Sequence, residues 1–151
     1  MNIVSFGKAT KQMIDDFEKL IGFTLIDDYK QFLSTYNGGT SKSGYSTFWV
    51  EELSEDIPLD VLFGIVDDVD FDLRDWNNEY KDDLLPNAII IGRDPGAGFI
   101  VLINNAEDSG VYYWDHSLNF DKSDEDNNVY LVSDSFQSFA DGLKTPESED
   151  I

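Results

Sequence analysis

The spacing of the hydrophobic residues changes along this chain, and that change constrains the fold more than any other feature. Near the N-terminus they recur at helical intervals, which predicts one helix over residues 10–21 and a second over residues 27–36. Farther along, they alternate or form short runs rich in β-branched and aromatic side chains, as β-strands do. We predict strands at residues 47–51, 61–66, 88–92, 99–103, 111–115 and 129–132. Because several connections between them are short and polar or contain glycine, the strands are expected to pair antiparallel.

The ends of the first two helices have recognisable sequence signals. Thr10 and Asp27 are residue types that cap helix N-termini, and Gly22 suits the left-handed conformation just past a helix end. The triplet at residues 37–39, Asn-Gly-Gly, is expected to stop the second helix, because glycine accepts the backbone angles of a reversal.

Two further helices complete the predicted fold. One covers residues 72–80 with Asp72 as its cap, and the last starts near residue 133 or 134 with Phe136, Phe139 and Leu143 on one face. We therefore predict an α+β class, with an N-terminal helical hairpin and a C-terminal helix packed on a largely antiparallel sheet of about six strands. Residues 1–145 are expected to form a single domain, followed by an acidic tail at 146–151.

The charge of the chain restricts its partners. The 151 residues include 10 Lys+Arg and 31 Asp+Glu, a formal net charge of −21. Residues 1–40 hold 4 basic and 5 acidic side chains, a net of −1, whereas residues 41–151 hold 6 and 26, a net of −20. Such a chain repels phosphate backbones, so direct nucleic-acid binding is not expected. It attracts basic proteins instead, although acidity that serves only solubility is the alternative interpretation.

Other features of the composition indicate the cellular location of the protein. No apolar run approaches the roughly 20 residues that span a bilayer, and residues 1–10 lack the pattern of a secretion signal, so we expect neither a secretion signal nor membrane association. The chain has no cysteine, which excludes disulfides, thiolate catalysis and cysteine-ligated zinc. We therefore expect a cytoplasmic protein.

His116 is the single histidine and is the first candidate for acid–base chemistry. It follows Asp115, but consecutive residues of a strand point to opposite faces, which argues against a catalytic dyad. The sequence also lacks a Gly-x-Ser-x-Gly nucleophile motif. We predict no catalytic residue and no cofactor.

A second candidate is a calcium site. Asp68, Asp70, Asp72 and Glu79 take positions one, three, five and twelve of an EF-hand loop. Leu73 takes the sixth position, where that loop requires glycine, so the match is incomplete and no metal site is predicted. Without a cation the clustered carboxylates repel one another, and a basic partner would relieve this repulsion.

Several short motifs follow one another in a characteristic order. They are IDDFE at 14–18, LIDDYKQFL at 25–33, YNGG at 36–39, LP at 85–86, AIIIGRD at 88–94, GFI at 98–100, VYYWDH at 111–116 and SFQSF at 135–139. Together they resemble the SUKH superfamily, whose best-known group contains the fungal Smi/Knr cell-wall regulators. The resemblance spans roughly residues 14–143, with one departure at Ile26, where the family usually has proline.

The resemblance implies an intracellular immunity protein, which neutralises the C-terminal domain of a polymorphic toxin by binding it. Such toxin domains are often nucleases, which are basic because they hold phosphate, and the net charge of −20 after residue 40 agrees with such a partner. We therefore expect a non-enzymatic protein that binds a basic toxin domain, with Trp76 as an anchor. The alternative is a regulatory hub of the SMI/KNR type that binds calcium or a small ligand. The predicted acidic contact residues are Asp67, Asp68, Asp70, Asp72, Asp94 and Asp115.

Overall fold

A computed structural model describes residues 3–41, 44–96, 98–105, 109–115 and 129–144. In these ranges the helices are α1 (Lys11–Ile21), α2 (Asp27–Thr35), α3 (Leu73–Tyr80) and α4 (Phe136–Asp141). The strands are β1 (Ile3–Ser5), β2 (Gly39–Ser41), β3 (Ser46–Val50), β4 (Glu55–Leu59), β5 (Val61–Leu62), β6 (Ala88–Arg93), β7 (Gly98–Asn104), β8 (Ser109–Asp115) and β9 (Val129–Ser133). The predicted α+β class is confirmed. His116 and the predicted tail at 146–151 lie outside the described residues.

Helix α1 has the ends that its sequence predicts. The Thr10 side-chain oxygen accepts a hydrogen bond from the Met13 backbone N–H at 3.1 Å, which satisfies one of the free amides of the first turn. Gly22 ends the helix at a φ of 87°, and its N–H donates to the Glu18 carbonyl at 2.9 Å.

Helix α2 begins differently from the prediction. Asp27 is its first helical residue and not its cap, since Ile26 takes the cap position and makes no side-chain hydrogen bond there. Asp27 still lies in the first turn, where its charge favours the positive end of the helix dipole. Asn37 and Gly38, at φ values of 50° and 84°, then turn the chain into β2, as predicted.

In the described ranges, seven strands form an antiparallel sheet in the order β1-β2-β5-β6-β7-β8-β9, and β3 and β4 form a separate pair. Strands β6 and β7 lie inside the sheet and are almost entirely buried, because other elements cover both faces. On one face, α3 packs through Trp76, whose ring lies 5.6 Å from that of Phe99. On the other, Phe48 of β3 packs between Tyr113 of β8 and Phe139 of α4, at 5.9 and 5.5 Å.

The strand predictions are confirmed at the centre of the sheet and incomplete at its margin. Strands β6, β7, β8 and β9 match four predicted strands. Strands β1, β2 and β4 were not predicted. Strands β1 and β2 have three residues each, which is too short for a clear alternating pattern, and β4 contains Pro58, which argues against a strand. The predicted strand at 47–51 corresponds to β3, which pairs with β4 outside the main sheet.

The predicted strand at 61–66 is a strand only over Val61–Leu62. Beyond it, the Asn37 side chain takes the place of a neighbouring strand: its amide donates to the Ile65 carbonyl at 3.0 Å and accepts from the Ile65 N–H at 2.8 Å. Gly64 lies so close to the Asn37 backbone that a Cβ atom would collide with it. A side chain distant in sequence therefore ends this strand.

Helix α4 starts later than predicted. Its cap is Ser135, whose hydroxyl accepts from the Ser138 N–H at 3.1 Å, because β9 continues through Ser133. Phe136 and Phe139 are buried as expected, at 2% and 1% exposure.

Candidate functional site

The predicted site begins with residues 67–72, which we call the acidic segment. It connects the end of the β5 region to α3 and includes a short 3-10 turn at Val69–Phe71. Asp67, Asp68 and Asp70 are exposed, and an Asp68 carboxylate oxygen accepts from the Asp70 N–H at 3.0 Å. Val69 between them is 61% exposed, which makes it the most exposed of the large apolar side chains in the described ranges. The segment thus presents three carboxylates and one apolar side chain to solvent.

Asp72 ends the acidic segment, but the structure does not present it as a contact residue. Only 5% of it is exposed. Its carboxylate caps α3 by accepting from the Arg74 N–H at 3.0 Å and pairs with the Arg74 guanidinium at 2.9 Å. The hydrogen bond to Asp72 raises the pKa of Arg74. The predicted cap is therefore confirmed, and this carboxylate serves the local fold.

Trp76, the predicted anchor, is only partly exposed. Its indole ring stacks on Phe63 at 5.0 Å and on Tyr80 at 6.2 Å, with interplanar angles of 11° and 6°. The indole N–H donates to the Asp70 carbonyl at 2.9 Å. Trp76 therefore fixes the acidic segment against α3, which is a structural task whether or not a partner also touches the ring.

Arg93 holds this region together, although its sequence context did not predict it as a site residue. Its guanidinium carbon lies 5.9, 5.9 and 5.6 Å from the ring centres of Phe63, Phe71 and Trp76, a cation–π arrangement. Its Nε also donates to Asp60 at 2.9 Å. The Gly-Arg-Asp motif was visible in the sequence, but only the fold brings the three rings around the arginine.

Asp94 is next to Arg93 in the chain and points to the other face of the sheet. It is 8% exposed and accepts three hydrogen bonds: from the N–H groups of Gly96 and Gly98 at 2.9 Å each, and from the Tyr113 hydroxyl at 2.6 Å. Burial, and then this hydrogen bond, raises the pKa of Tyr113. Asp94 therefore closes the β6–β7 hairpin, and its placement does not favour the predicted partner contact.

Asp115 lies at the same end of the sheet as Asp94. It is the last residue of β8, is paired in register with Gly98, and is partly buried. Of the seven predicted contact residues, the structure therefore exposes Asp67, Asp68 and Asp70 most clearly. Arg93 lies between the acidic segment and the end of the sheet that holds Asp94 and Asp115. It packs against Phe71 of the acidic segment and directly precedes Asp94 in the chain.

The geometry does not match a calcium loop. Leu73 starts α3, and Glu79 lies within this helix, so the four EF-hand positions do not enclose a common point as one loop would. Within the described ranges, no three carboxylate or histidine side chains are grouped as metal ligands. None of the helices described there has the length and apolar composition that crossing a membrane requires.

Comparison with known proteins places the chain in a family. The profile of the SMI1 / KNR4 family (SUKH-1) matches residues 8–142. The chain belongs to the SMI1 / KNR4 family. This confirms the resemblance found in the sequence, and the match covers the four helices and all the strands except β1 that the structure describes.

This SMI1 / KNR4-family chain is also similar to a bacterial protein. The chain is 25% identical over 149 residues to the SPbeta prophage-derived uncharacterized protein YokK of Bacillus subtilis (strain 168). The aligned region covers 89% of this chain and 74% of the relative.

Proposed function

We propose that this SMI1 / KNR4-family chain is an immunity protein, which binds the C-terminal domain of a polymorphic toxin and neutralises it without catalysing a reaction. The toxin domain is a basic nuclease. The observation that carries the proposal is the exposed charge of the acidic segment, where Asp67, Asp68 and Asp70 point to solvent in a chain of net charge −21.

The proposed mechanism is occlusion. The three carboxylates take the place of substrate phosphates and pair with lysines and arginines of the toxin through charge-assisted hydrogen bonds. The three like charges also repel one another. Binding of a cationic partner relieves this repulsion, which adds to the direct attraction between the two proteins. The negative field also accelerates encounter with a basic domain, most strongly at low salt.

The acidic segment is well suited to rigid recognition. Asp72 and Arg74 fix its C-terminal end to α3, and the Trp76 indole holds the Asp70 carbonyl. A surface whose backbone is already held in place loses less conformational entropy when it binds. The buried Asp72 thus contributes indirectly, because it helps to fix the position of the exposed aspartates.

The test uses the toxin domain encoded next to the gene for this chain, since a large toxin gene is expected immediately upstream. Co-expression with the chain should restore growth of cells that carry the toxin domain, and the two proteins should form a stoichiometric complex. Growth arrest and separate elution in the presence of the wild-type chain would contradict the immunity role.

A charge variant then tests the acidic segment. Asp67→Asn, Asp68→Asn and Asp70→Asn are combined, which removes three charges and keeps the side-chain acceptor that Asp68 supplies to Asp70. The matched control combines Glu51→Gln, Glu52→Gln and Glu55→Gln, which are also exposed and remove the same charge beside β3 and β4. Association at low salt should slow about tenfold in the first variant and much less in the control. Equal rates for both variants would show that only net charge matters.

A further inference from the structure

The second surface feature of interest is a groove between α1 and α3, which we call the α1–α3 groove. It measures about 420 Å³ and is bounded by the C-terminal end of α1 and by the chain from α3 to β6. Its apolar walls come from Leu20, Ile21 and Phe23 on one side and from Leu84 and Leu85 on the other. Leu20 is 57% exposed, so a large part of this apolar side chain remains in water.

The buried polar side chain of the groove is already satisfied. Asn77 lines it and is 4% exposed. Its amide donates to the carbonyls of Leu73 and Ile90 at 2.9 Å each and accepts from the Ile90 N–H at 2.7 Å. An apolar group that enters the groove therefore leaves this buried amide fully paired, so the amide does not oppose binding.

The charges around the groove are arranged unevenly. Although the chain contains 31 acidic residues, none of the described residues that line the groove is acidic, and Lys81 is the single charged one among them. Asp75, Glu79 and Asp82 are exposed on the neighbouring flank of α3 and the turn that follows it. An apolar insertion thus desolvates no carboxylate, while basic groups beside it meet an acidic border.

Helix α3 connects the groove to the acidic segment. Its eight residues rise about 12 Å. Asp72 caps the end next to the acidic segment, and Lys81 follows the end that borders the groove. A partner surface of ordinary size, about 800 Å², is wide enough to cover both.

We infer that the α1–α3 groove is the apolar half of the toxin interface, which receives an apolar side-chain cluster flanked by lysines or arginines on the basic toxin domain. This inference rests on the proposed function. Charged contacts mainly set the rate of encounter, whereas a desolvated apolar core sets the lifetime of a complex. The acidic segment and the groove therefore have separate effects, the first on association and the second on dissociation.

The test measures association and dissociation rates of the full chain with the purified toxin domain encoded beside its gene. Leu20→Ser shortens an apolar side chain that is mostly exposed, so the fold should persist. The control is Val4→Ser, which changes a side chain of similar exposure, 51%, on β1 and outside the groove. Leu20→Ser should raise the dissociation rate about tenfold with little change in the association rate, and Val4→Ser should leave both rates unchanged.

A second variant, Asn78→Lys, places a cation in the groove wall without removing any core contact. It should also accelerate dissociation about tenfold, because the longer side chain obstructs the groove, while its charge slows association with the basic partner. If the wild-type complex forms and both groove variants dissociate at the rate of Val4→Ser, the groove inference is overturned and the immunity proposal stands. If the wild-type chain and the toxin domain form no complex, both are overturned.

Discussion

The acidic segment and the end of the β6–β7 hairpin carry the same side chain, aspartate, in opposite environments. Asp67, Asp68 and Asp70 are exposed, and of these Asp68 accepts one local hydrogen bond. Asp94 is 8% exposed and accepts three, one of them from Tyr113. The number of acidic residues therefore does not define a binding surface, because neighbouring donors decide which carboxylates serve the fold.

The largest expected effect is at the hairpin. Asp94→Ala removes the acceptor of two backbone N–H groups and of the Tyr113 hydroxyl, which are then left without it in a buried site. We expect the free energy of unfolding to fall by about 3 kcal/mol. Urea denaturation measures this value, and a loss below about 1 kcal/mol would contradict the contrast between the two regions.

Asp72→Ala should have the next largest effect. The substitution removes the cap of α3 and leaves Arg74 without its partner, but Arg74 is itself largely exposed. We expect a loss of about 1.5 kcal/mol in the free energy of unfolding. Asp72→Asn is the control. It keeps a capping oxygen, so its free energy of unfolding should fall clearly less than that of Asp72→Ala.

The alkaline stability of the chain should depend on Tyr113. Burial and the hydrogen bond to Asp94 raise its pKa in the folded state, so the unfolded chain releases this proton first as pH rises. Stability from this source is complete below about pH 10 and falls by about 1.4 kcal/mol per pH unit above it. Between about pH 10 and 11, the free energy of unfolding of Tyr113→Phe should fall less steeply with pH than that of the wild type. Denaturation at a series of pH values measures both slopes, and equal slopes would contradict this role of Tyr113.

Two buried tyrosines differ in their hydrogen bonding, and this difference should affect stability at neutral pH. The Tyr113 hydroxyl donates to Asp94, whereas the Tyr29 hydroxyl is buried without a hydrogen-bond partner among the described residues. We expect Tyr113→Phe to lower the free energy of unfolding by about 1 kcal/mol and Tyr29→Phe to leave it unchanged or to raise it slightly. Parallel denaturation of the two variants checks this difference, and the reverse order would refute the assigned contacts.

Among the aspartate variants, the smallest effect on stability is expected at the three exposed carboxylates of the acidic segment. The combined Asp67→Asn, Asp68→Asn and Asp70→Asn variant loses no buried contact, so its free energy of unfolding should change by less than about 0.5 kcal/mol. Relief of repulsion between the carboxylates acts in the stabilising direction. A loss as large as that of Asp72→Ala, measured in the same denaturation series, would mean that these residues also serve the fold.

Much of the architecture was predictable because it depends on residues close in sequence. The apolar stripe and the ends of α1, the cap of α3 and the apolar runs of β6 and β7 are local patterns. The family assignment was also predictable, since its motifs lie in order along the chain. The short strands β1, β2 and β4 were not, because their few residues pair with segments that a local pattern does not identify.

The candidate site was only partly predictable. Its acidic character follows from the aspartates that precede a capped helix, but the sequence did not separate the exposed Asp67, Asp68 and Asp70 from the buried Asp72. The aromatic surroundings of Arg93 do not, since its three rings come from Phe63, Phe71 and Trp76, at least 17 residues earlier in the chain.

The amino-acid sequence by itself determined the α+β class, the helix positions, the family and the strong negative charge, because these properties follow from composition and from neighbours along the chain. Only the tertiary structure decided which aspartates remain available to a partner. Asp94 accepts a hydrogen bond from Tyr113, 19 residues later in the chain. The groove at Leu20 is completed by Leu84 and Leu85. Hydrogen bonds and apolar contacts act through space, and the fold alone brings these distant groups together.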